Sequence, residues 1–402
     1  MSPNTHFTPL ILAGIALLCG LSVANVYFNQ ALLPVFANAL HAEAGQTSWI
    51  ATASQMGYAL GMLLIVPLGD RVAPLRLCRL LLVWTSILLV LASQATQLSF
   101  LAGASFLLCM GTCIPQVLLP YLAGLATAGE RSRVIAWVQT GLVIGILLSR
   151  AIAGWLADHL GWQSVYWVAA SAMLLCALAL PSILPRRHTP GVSVAYGRLL
   201  SSMLHLFWHE PLLRLSCALG AAVFAAFSAF WSVIAFKLMA PPYSMNAADV
   251  GVFSLWGALA TLLTPAAGKL CERFGTVAIS IASILLCGLS FALTITWANT
   301  FIVLLVCANL LSFALQLGQV ANQTRIFSLR PESRSRLNTV YMVCNFCGGA
   351  FGSAMGGYLW QRFGWTGCAL LGLLCAGLAM VALLAILRPR PEQLSITQPL
   401  ND

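Results

Sequence analysis

The chain has 402 residues, of which 60% are apolar and only 7% are charged, with 20 Lys and Arg against 10 Asp and Glu. Soluble domains contain roughly 45–50% apolar and about 25% charged residues, so this chain has too few charges to cover a soluble globule. The composition therefore argues against a soluble enzyme, a disordered chain and a nucleic-acid-binding protein. It predicts a polytopic protein whose main partner is the lipid bilayer.

Apolar runs long enough to cross a membrane follow one another along almost the whole chain. About 20 mostly apolar residues in a helix span the hydrocarbon core. In chain order the runs predict twelve helices, at residues 9–36, 48–68, 76–94, 98–122, 134–156, 163–184, 212–236, 249–268, 276–297, 300–326, 337–360 and 365–387. The first run is too long for the core of a signal peptide, so we expect it to be retained as a span.

Basic residues cluster on one side of this predicted topology. The loops after even-numbered spans, with the C-terminal tail, hold seventeen of the twenty: Arg71, Arg76, Arg79, Arg131, Arg133, Arg186, Arg187, Arg198, Arg214, Lys269, Arg273, Arg325, Arg330, Arg334, Arg336, Arg388 and Arg390. Only Lys237 and Arg362 fall on the other side, and Arg150 lies within a span. Because short cytoplasmic loops are enriched in Lys and Arg, we expect these loops and both termini to be cytoplasmic.

The longest polar break separates two similar sets of six spans. We expect a first half at 1–184, a cytoplasmic central loop at 185–211 with a short amphipathic surface helix, a second half at 212–387 and a cytoplasmic tail at 388–402. PLGDRVA and KLCERFG follow the second and eighth spans, and GWLADHLGW and GYLWQRFGW end the fifth and eleventh, at offsets of 202 and 203 residues. This match predicts a duplicated unit, as in transporters that move one repeat against the other around a central site.

An acidic–basic pair follows both the second and the eighth span. A carboxylate beside an arginine at a helix end can pair with a neighbouring helix in one conformation and release it in another. We therefore interpret the two regions as a conformational latch, formed by Asp70, Arg71, Arg76, Gly268, Glu272, Arg273 and Gly275. Ordinary basic flanking of a membrane helix with a turn glycine is the alternative.

Small residues at four-residue spacing mark the fifth and eleventh spans. The glycines concerned are Gly141, Gly145, Gly154, Gly348, Gly352 and Gly356. This spacing lets helix backbones approach closely, so we expect helix packing here, at either a static or a moving interface.

Polar side chains recur within the predicted spans. Amides facing lipid are costly, so these groups should face the interior, either as interhelical hydrogen bonds or around a substrate cavity. The candidates for the cavity are Asn25, Tyr27, Asn29, Gln55, Tyr58, Gln116, Gln139, Arg150, Trp231, Asn309, Gln316, Gln319, Tyr341 and Asn345. Arg150 is the one formal charge well inside a span, which marks it as a functional candidate unless its side chain extends to the outer surface.

The groups that usually carry protons through membranes are absent from the middle of every predicted span. All ten acidic residues and the six His fall in loops or at span ends. The chain has no P-loop, HExxH or GxSxG motif, so we expect no enzyme activity, no cofactor and no metal site.

The order of these features resembles the major facilitator superfamily over nearly the whole chain. The stretches ANVYFNQALLP, QMGYALGMLLIVPLGDR, ILLSRAIAGWLADHLGWQSVYW and NFCGGAFGSAMGG look like bacterial twelve-span exporters of the drug:proton antiporter kind. The resemblance implies an inner-membrane carrier that works by alternating access, with the substrate between the halves and protons as coupling ions. It also implies that Asp70, Arg71, Glu272 and Arg273 belong to the family's conformational latch.

Together, these features predict a secondary transporter that exports small neutral or amphipathic molecules as a monomer. A facilitator or importer of a metabolite is the first alternative. A membrane receptor or scaffold that transports nothing is the second.

Overall fold

The fold is all-helical, as predicted, over the residues that the computed structural model describes. These are residues 7–127, 130–184, 196–330 and 333–387, without the side chains of Asp70, Ser132 and Leu387, and they contain no β-strand. The predicted tail at 388–402 and residues 185–195 of the central loop lie outside them.

Seven helices form the first half. They are α1 (Pro9–Ala39), α2 (Ala44–Leu64), α3 (Pro74–Ser93), α4 (Leu98–Gly111), α5 (Ile114–Leu125), α6 (Arg131–Leu160) and α7 (Trp162–Ile183), and a 3-10 turn at Val66–Asp70 extends α2. The fourth predicted span is thus two helices, separated at Thr112 and Cys113. Pro115 lies in the first turn of α5, where its missing N–H needs no helical partner.

A short helix in the predicted central loop precedes the second half. It is α8 (Tyr196–His209), and the Tyr196 hydroxyl donates a hydrogen bond to the Leu64 carbonyl 2.6 Å away. Partial burial raises the pKa of the Tyr196 phenol above its usual value. The second half contains α9 (Pro211–Met239), α10 (Ala247–Gly257), a 3-10 turn at Leu259–Leu263, α11 (Thr264–Trp297), α12 (Phe301–Phe327) and α13 (Arg334–Leu387).

Ten helical segments of the described chain are long and apolar enough to cross a membrane. Two of them, Ala247–Trp297 and Arg334–Ile386, have 51 and 53 residues. At 1.5 Å per residue each would measure about 75–80 Å, more than twice the roughly 30 Å hydrocarbon core. Each is broken by a glycine with positive φ, Gly275 at +79° and Gly364 at +60°. Counting both sides of these breaks gives the predicted twelve spans, a number that stays a prediction.

The two halves have the same backbone turn and the same arginine–carbonyl hydrogen bond at equivalent positions. Gly161 and Gly364, which lie 203 residues apart, both have positive φ where one long helix gives way to the next. Arg131 Nε donates to the Ala123 carbonyl at 2.9 Å, and Arg334 Nε donates to the Phe327 carbonyl at 3.0 Å. In each case the arginine binds the last turn or two of the preceding helix. These paired contacts support the duplication that the sequence predicts.

Glycines bring the first and fifth spans of each half together. In the first half α6 packs on α1, and a Cβ added at Gly145 would overlap the Gly20 carbonyl. In the second half α13 packs on α9, and a Cβ added at Gly352 would overlap the Ala225 carbonyl. Gly141, Gly348 and Gly356 are placed in the same way, against Ala16, Ala221 and Ala229.

The halves meet mainly along two helix pairs. The part of α13 before Gly364 lies against α2, where Thr52 Oγ1 donates to the Ala350 carbonyl at 3.3 Å. α6 lies against α10, where a Cβ added at Gly154 would overlap the Ala247 carbonyl. Both pairs put side chains of one half directly against the other.

Candidate functional site

Arg150 is buried between the halves and does not extend to the outer surface. Its side chain is 1% exposed, and its Nη2 donates to Gln30 Oε1 at 2.5 Å. Its Cζ lies 4.4 Å from the Trp231 ring centroid and 5.4 Å from that of Tyr27. We call Tyr27, Gln30, Arg150 and Trp231 the Arg150 site. Three of its residues come from α1 and α6 of the first half, and Trp231 comes from α9 of the second.

The close packing of α6 places this arginine. Gly141 and Gly145 let α6 approach α1, while Gly154 lets the next turns approach α10. In α10, Gly251 lies against the Arg150 carbonyl, so the backbone there is also enclosed. The guanidinium is therefore held where α1, α6, α9 and α10 converge.

No described carboxylate balances the Arg150 charge within 4.0 Å. The acidic residues of the helices packed here, Asp158 on α6 and Asp249 on α10, are both exposed. Asp249 instead caps α10 and accepts a hydrogen bond from the Asn246 N–H. Arg150 is thus a buried cation whose described contacts are one amide oxygen and two aromatic rings.

Aromatic side chains surround Trp231. Its ring centroid lies 5.5 Å from Phe230, 6.0 Å from Phe227 and 6.5 Å from Phe253. The π-faces of aromatic rings attract cations, so Tyr27 and Trp231 supply part of the stabilisation of the Arg150 charge. The same rings form an apolar surrounding for any molecule bound there.

A second polar cluster joins the halves through Gln55. Its Nε2 donates to Ser353 Oγ at 3.1 Å, and its Oε1 accepts from Ser228 Oγ at 3.3 Å. Ser232 Oγ also donates to Ser353 Oγ, at 2.9 Å. Tyr58, one turn further along α2, places its ring 4.5 Å from that of Phe346. Gln55 and Tyr58 therefore lie at the interface between halves, as a cavity candidate should.

Asn25 and Asn29 face the interior of the first half. Asn29 Oδ1 accepts from the Tyr166 hydroxyl at 2.8 Å, which ties α1 to α7. Asn25 Nδ2 donates to the Leu21 carbonyl within α1 at 3.0 Å and to the Met173 sulfur of α7 at 3.5 Å. Both are less than 2% exposed. Their contacts correspond to the interhelical alternative that the sequence left open.

The Asn309 side chain forms hydrogen bonds with backbone groups at the helix break after α10. Its Oδ1 accepts from the Ala260 N–H at 3.1 Å, and its Nδ2 donates to the Trp256 carbonyl at 3.0 Å. Backbone groups freed at a break within a membrane need such partners.

The remaining glutamines among the cavity candidates lie apart from the Arg150 site. Gln319 contacts the Met342 sulfur at 4.0 Å, whereas Gln116 and Gln316 are half-buried and Gln139 is exposed. No described hydrogen bond joins these residues to the Arg150 site.

Tyr341 and Asn345 belong to a polar cluster within the second half, near Arg325. The Tyr341 hydroxyl accepts from Asn322 Nδ2 at 3.5 Å. Arg325 donates to Asn322 Oδ1 at 2.8 Å, to Ser280 Oγ at 2.8 Å and to Ser216 Oγ at 3.2 Å. The sequence placed Arg325 in a loop, but it is buried in the last turn of α12. The available sequence signal was its spacing of three residues from Asn322, which is typical of neighbours on one helix face.

The described part of the latch is exposed. Glu272 and Arg273 make no ion pair with any described residue, and Arg273 lies 5.1 Å from the Phe274 ring. Arg71 and Arg76 are also exposed, and Gly268 is half-buried with open space around it. Gly275 forms the helix break described above, and the Asp70 side chain lies outside the described atoms. The latch stays a prediction.

Comparison with known proteins agrees with this architecture. The family model of the Major Facilitator Superfamily matches residues 14–245 and 218–400. The uncharacterized transporter YgaY of Escherichia coli O157:H7 is 36% identical, over 95% of this chain and 96% of its own. The probable transporter SCO4007 of Streptomyces coelicolor is 34% identical, over 92% and 86%.

A solved structure shows the same fold at low sequence identity. A bacterial homolog of the human lysosomal transporter Spinster superposes with a TM-score of 0.73 at 16% identity, over 97% of this chain and all of that one. The relatives are named transporters and not enzymes. The chain therefore belongs to the Major Facilitator Superfamily and is a multi-pass membrane transporter.

Proposed function

We propose that the protein works by alternating access and binds its substrate between the halves, at the Arg150 site. The observation that carries this proposal is that Arg150 and Gln30 of the first half meet Trp231 of the second around one buried charge. A movement that parts the halves separates Trp231 from the other residues. A ligand that contacts both halves would therefore favour the closed arrangement, which couples binding to conformational change.

For the direction, we propose export across the inner membrane, coupled to protons. The support is the resemblance of ANVYFNQALLP and NFCGGAFGSAMGG to bacterial exporters. An export system of this kind accumulates its substrate in inverted vesicles when a pH gradient is imposed. Abolishing the gradient should then abolish accumulation.

A facilitator or importer is the second candidate, and one observation favours it. No acidic or histidine side chain is buried among those that the structure describes. Proton-coupled carriers usually place such a group within the membrane. Substrate exchange that is independent of pH would support this candidate against proton-coupled export.

The test begins with a substrate screen by growth and efflux in a strain that lacks its own exporters. A compound found there is then followed in proteoliposomes, with and without a pH gradient. Transport that depends on the gradient supports the antiporter, and exchange without it supports the facilitator. Failure of every compound in both assays, with folded protein in the membrane, would contradict the transport proposal.

A further inference from the structure

The Arg150 guanidinium has more hydrogen-bond donors than the described residues have acceptors for. A guanidinium carries five N–H groups. The described residues offer it one hydrogen-bond acceptor, Gln30 Oε1. Arg150 Nε is buried and has no hydrogen-bond partner in the described part of the chain, and the same is true of Trp231 Nε1 on the neighbouring ring. Two unpaired donors therefore belong to side chains that contact each other between the halves.

The other buried arginine shows what a structural arginine looks like in this fold. Arg325 donates four hydrogen bonds, to Ser216, Asn322, Ser280 and the Thr276 carbonyl. It binds together helices of one half. Arg150 has one such bond and lies between the halves, so fixing the fold is a poor explanation for its position.

The chemistry of the missing partner follows from the donors and the charge. Burying an unbalanced charge is costly, and the two aromatic rings offset only part of that cost. Water and neutral solutes can accept hydrogen bonds from the arginine, but they do not neutralise its positive charge. A carboxylate accepts from an arginine through two oxygens and neutralises its charge.

The surroundings specify the rest of the molecule. Tyr27 and Trp231 lie against the guanidinium, and Phe227 and Phe253 lie against the Trp231 ring. An apolar or aromatic body beside the carboxylate would bury its surface against them. A small, strongly hydrated ion would gain nothing from these rings.

We propose that the Arg150 site binds an organic carboxylate with an apolar or aromatic body, as the substrate of this transporter. This inference rests on the proposed function, because it assumes that the site between the halves is the transport site. The proposed substrate is amphipathic, as the sequence predicts, but its polar group is an anion and not a neutral group.

The first test compares charged and neutral forms of the same molecules. The full-length protein in lipid nanodiscs is unfolded by heat with benzoate, 1-naphthoate, the primary amides of both acids, or inorganic phosphate. We expect the carboxylates to raise the melting temperature progressively as their concentration increases, naphthoate more than benzoate. Equal effects of acids and amides, an effect of phosphate alone, or no effect of any anion would overturn it.

Variants then locate the site. Arg150→Gln and Trp231→Phe should weaken naphthoate binding, the former by about tenfold or more because a charge-assisted bond is lost. The matched control is Arg79→Gln, an exposed arginine of α3, which should bind as the wild type does. Unchanged binding by Arg150→Gln would overturn the assignment. The acid–amide comparison in the wild type decides the case if that variant does not fold.

Counterflow in proteoliposomes separates the two proposals. If labelled naphthoate is exchanged but its amide is not, and if Arg150→Gln loses this exchange, both the transport function and the carboxylate site are supported. Exchange of the amide, unaffected by Arg150→Gln, overturns the carboxylate site and leaves alternating access standing. Naphthoate that binds through Arg150 but never exchanges supports the anion site and contradicts the transport function.

Discussion

Gln55 Nε2 donates to Ser353 Oγ across 3.1 Å, and this bond joins α2 of the first half to α13 of the second. Both residues are at most 1% exposed. Ser228 and Ser232 of α9 complete their hydrogen bonding. Buried polar groups that are mutually satisfied hold their helices in one arrangement, because separating them leaves unpaired groups. Alternating access would require this cluster to break and form again.

We predict that Ser353→Ala weakens the closed contact between α2 and α13. The substitution leaves the Gln55 amide without its acceptor, at a cost of about 1–3 kcal/mol. Amide hydrogen exchange in residues 44–64 should therefore become faster. Ser201→Ala, on α8, is the control, because that hydroxyl bonds only within its own helix, to the Arg198 carbonyl. Unchanged exchange in α2 would show that the cluster does not hold the halves together.

Replacing one glycine between α9 and α13 should destabilise the fold. In Gly352→Ala the new Cβ overlaps the Ala225 carbonyl, which is backbone and cannot rotate away. Overpacking of this kind costs roughly 1–3 kcal/mol. Gly377→Ala, on an open face of α13, has nothing within 4 Å and should be neutral or slightly stabilising, because alanine favours helix. Thermal unfolding measures the difference, and equal melting temperatures would contradict the close approach.

Sequence periodicity predicted the helices and their duplication but could not assign each polar group to a neighbour. Arg131 and Arg334 match in sequence, and their contacts match as well. By contrast, Asn25 and Tyr27 are two residues apart, and of the two only Tyr27 contacts the Arg150 side chain. Periodicity tells which residues share a helix face, but it does not tell whether another helix of the same half or the opposite half covers that face.

The same limit explains Arg325 and Asn309. Arg325 lies at the end of a span, where a loop position and a buried position have the same sequence pattern. Its burial depends on Ser216 and Ser280, which are distant in the chain. The sequence groups Asn309 with the cavity candidates because it is a polar residue within a predicted span. Its role follows instead from the helix break at α10, which the sequence did not reveal.

Arg325→Ala should destabilise the second half far more than Arg330→Ala. The first substitution removes hydrogen bonds to three side chains and leaves buried oxygens unpaired, at about 1–3 kcal/mol for each unsatisfied group. The second removes an exposed ion pair with Glu210, in which Arg330 is 51% exposed, worth about 0–1 kcal/mol. Melting temperatures of the two variants provide the comparison. A similar loss in both would mean that the Arg325 cluster contributes no net stability.

If Glu272 and Arg273 act as a latch, substituting Glu272 should change the balance between conformations and leave substrate binding unchanged. Glu272 and Arg273 are exposed here without a described ion pair, so a latch role requires them to pair in another conformation. Glu272→Gln should then alter hydrogen exchange in residues 259–275 and slow transport, while ligand affinity at the Arg150 site stays unchanged. Lys269→Gln, at an exposed neighbour, is the control. Normal transport by Glu272→Gln would remove the latch role.

The distribution of basic residues makes the orientation testable without a substrate. Twelve spans would put both termini on one side, and the positive-inside bias predicts that this side is the cytoplasm. Fusions of alkaline phosphatase after residue 41 and after residue 299 should be active, because both loops are predicted to face outward. Fusions after residue 330 and at the C-terminus should be inactive, whereas a fluorescent protein at the C-terminus should fluoresce. If Gly275 or Gly364 did not separate two spans, every fusion after that glycine would report the opposite side, so the pattern tests the span count together with the orientation.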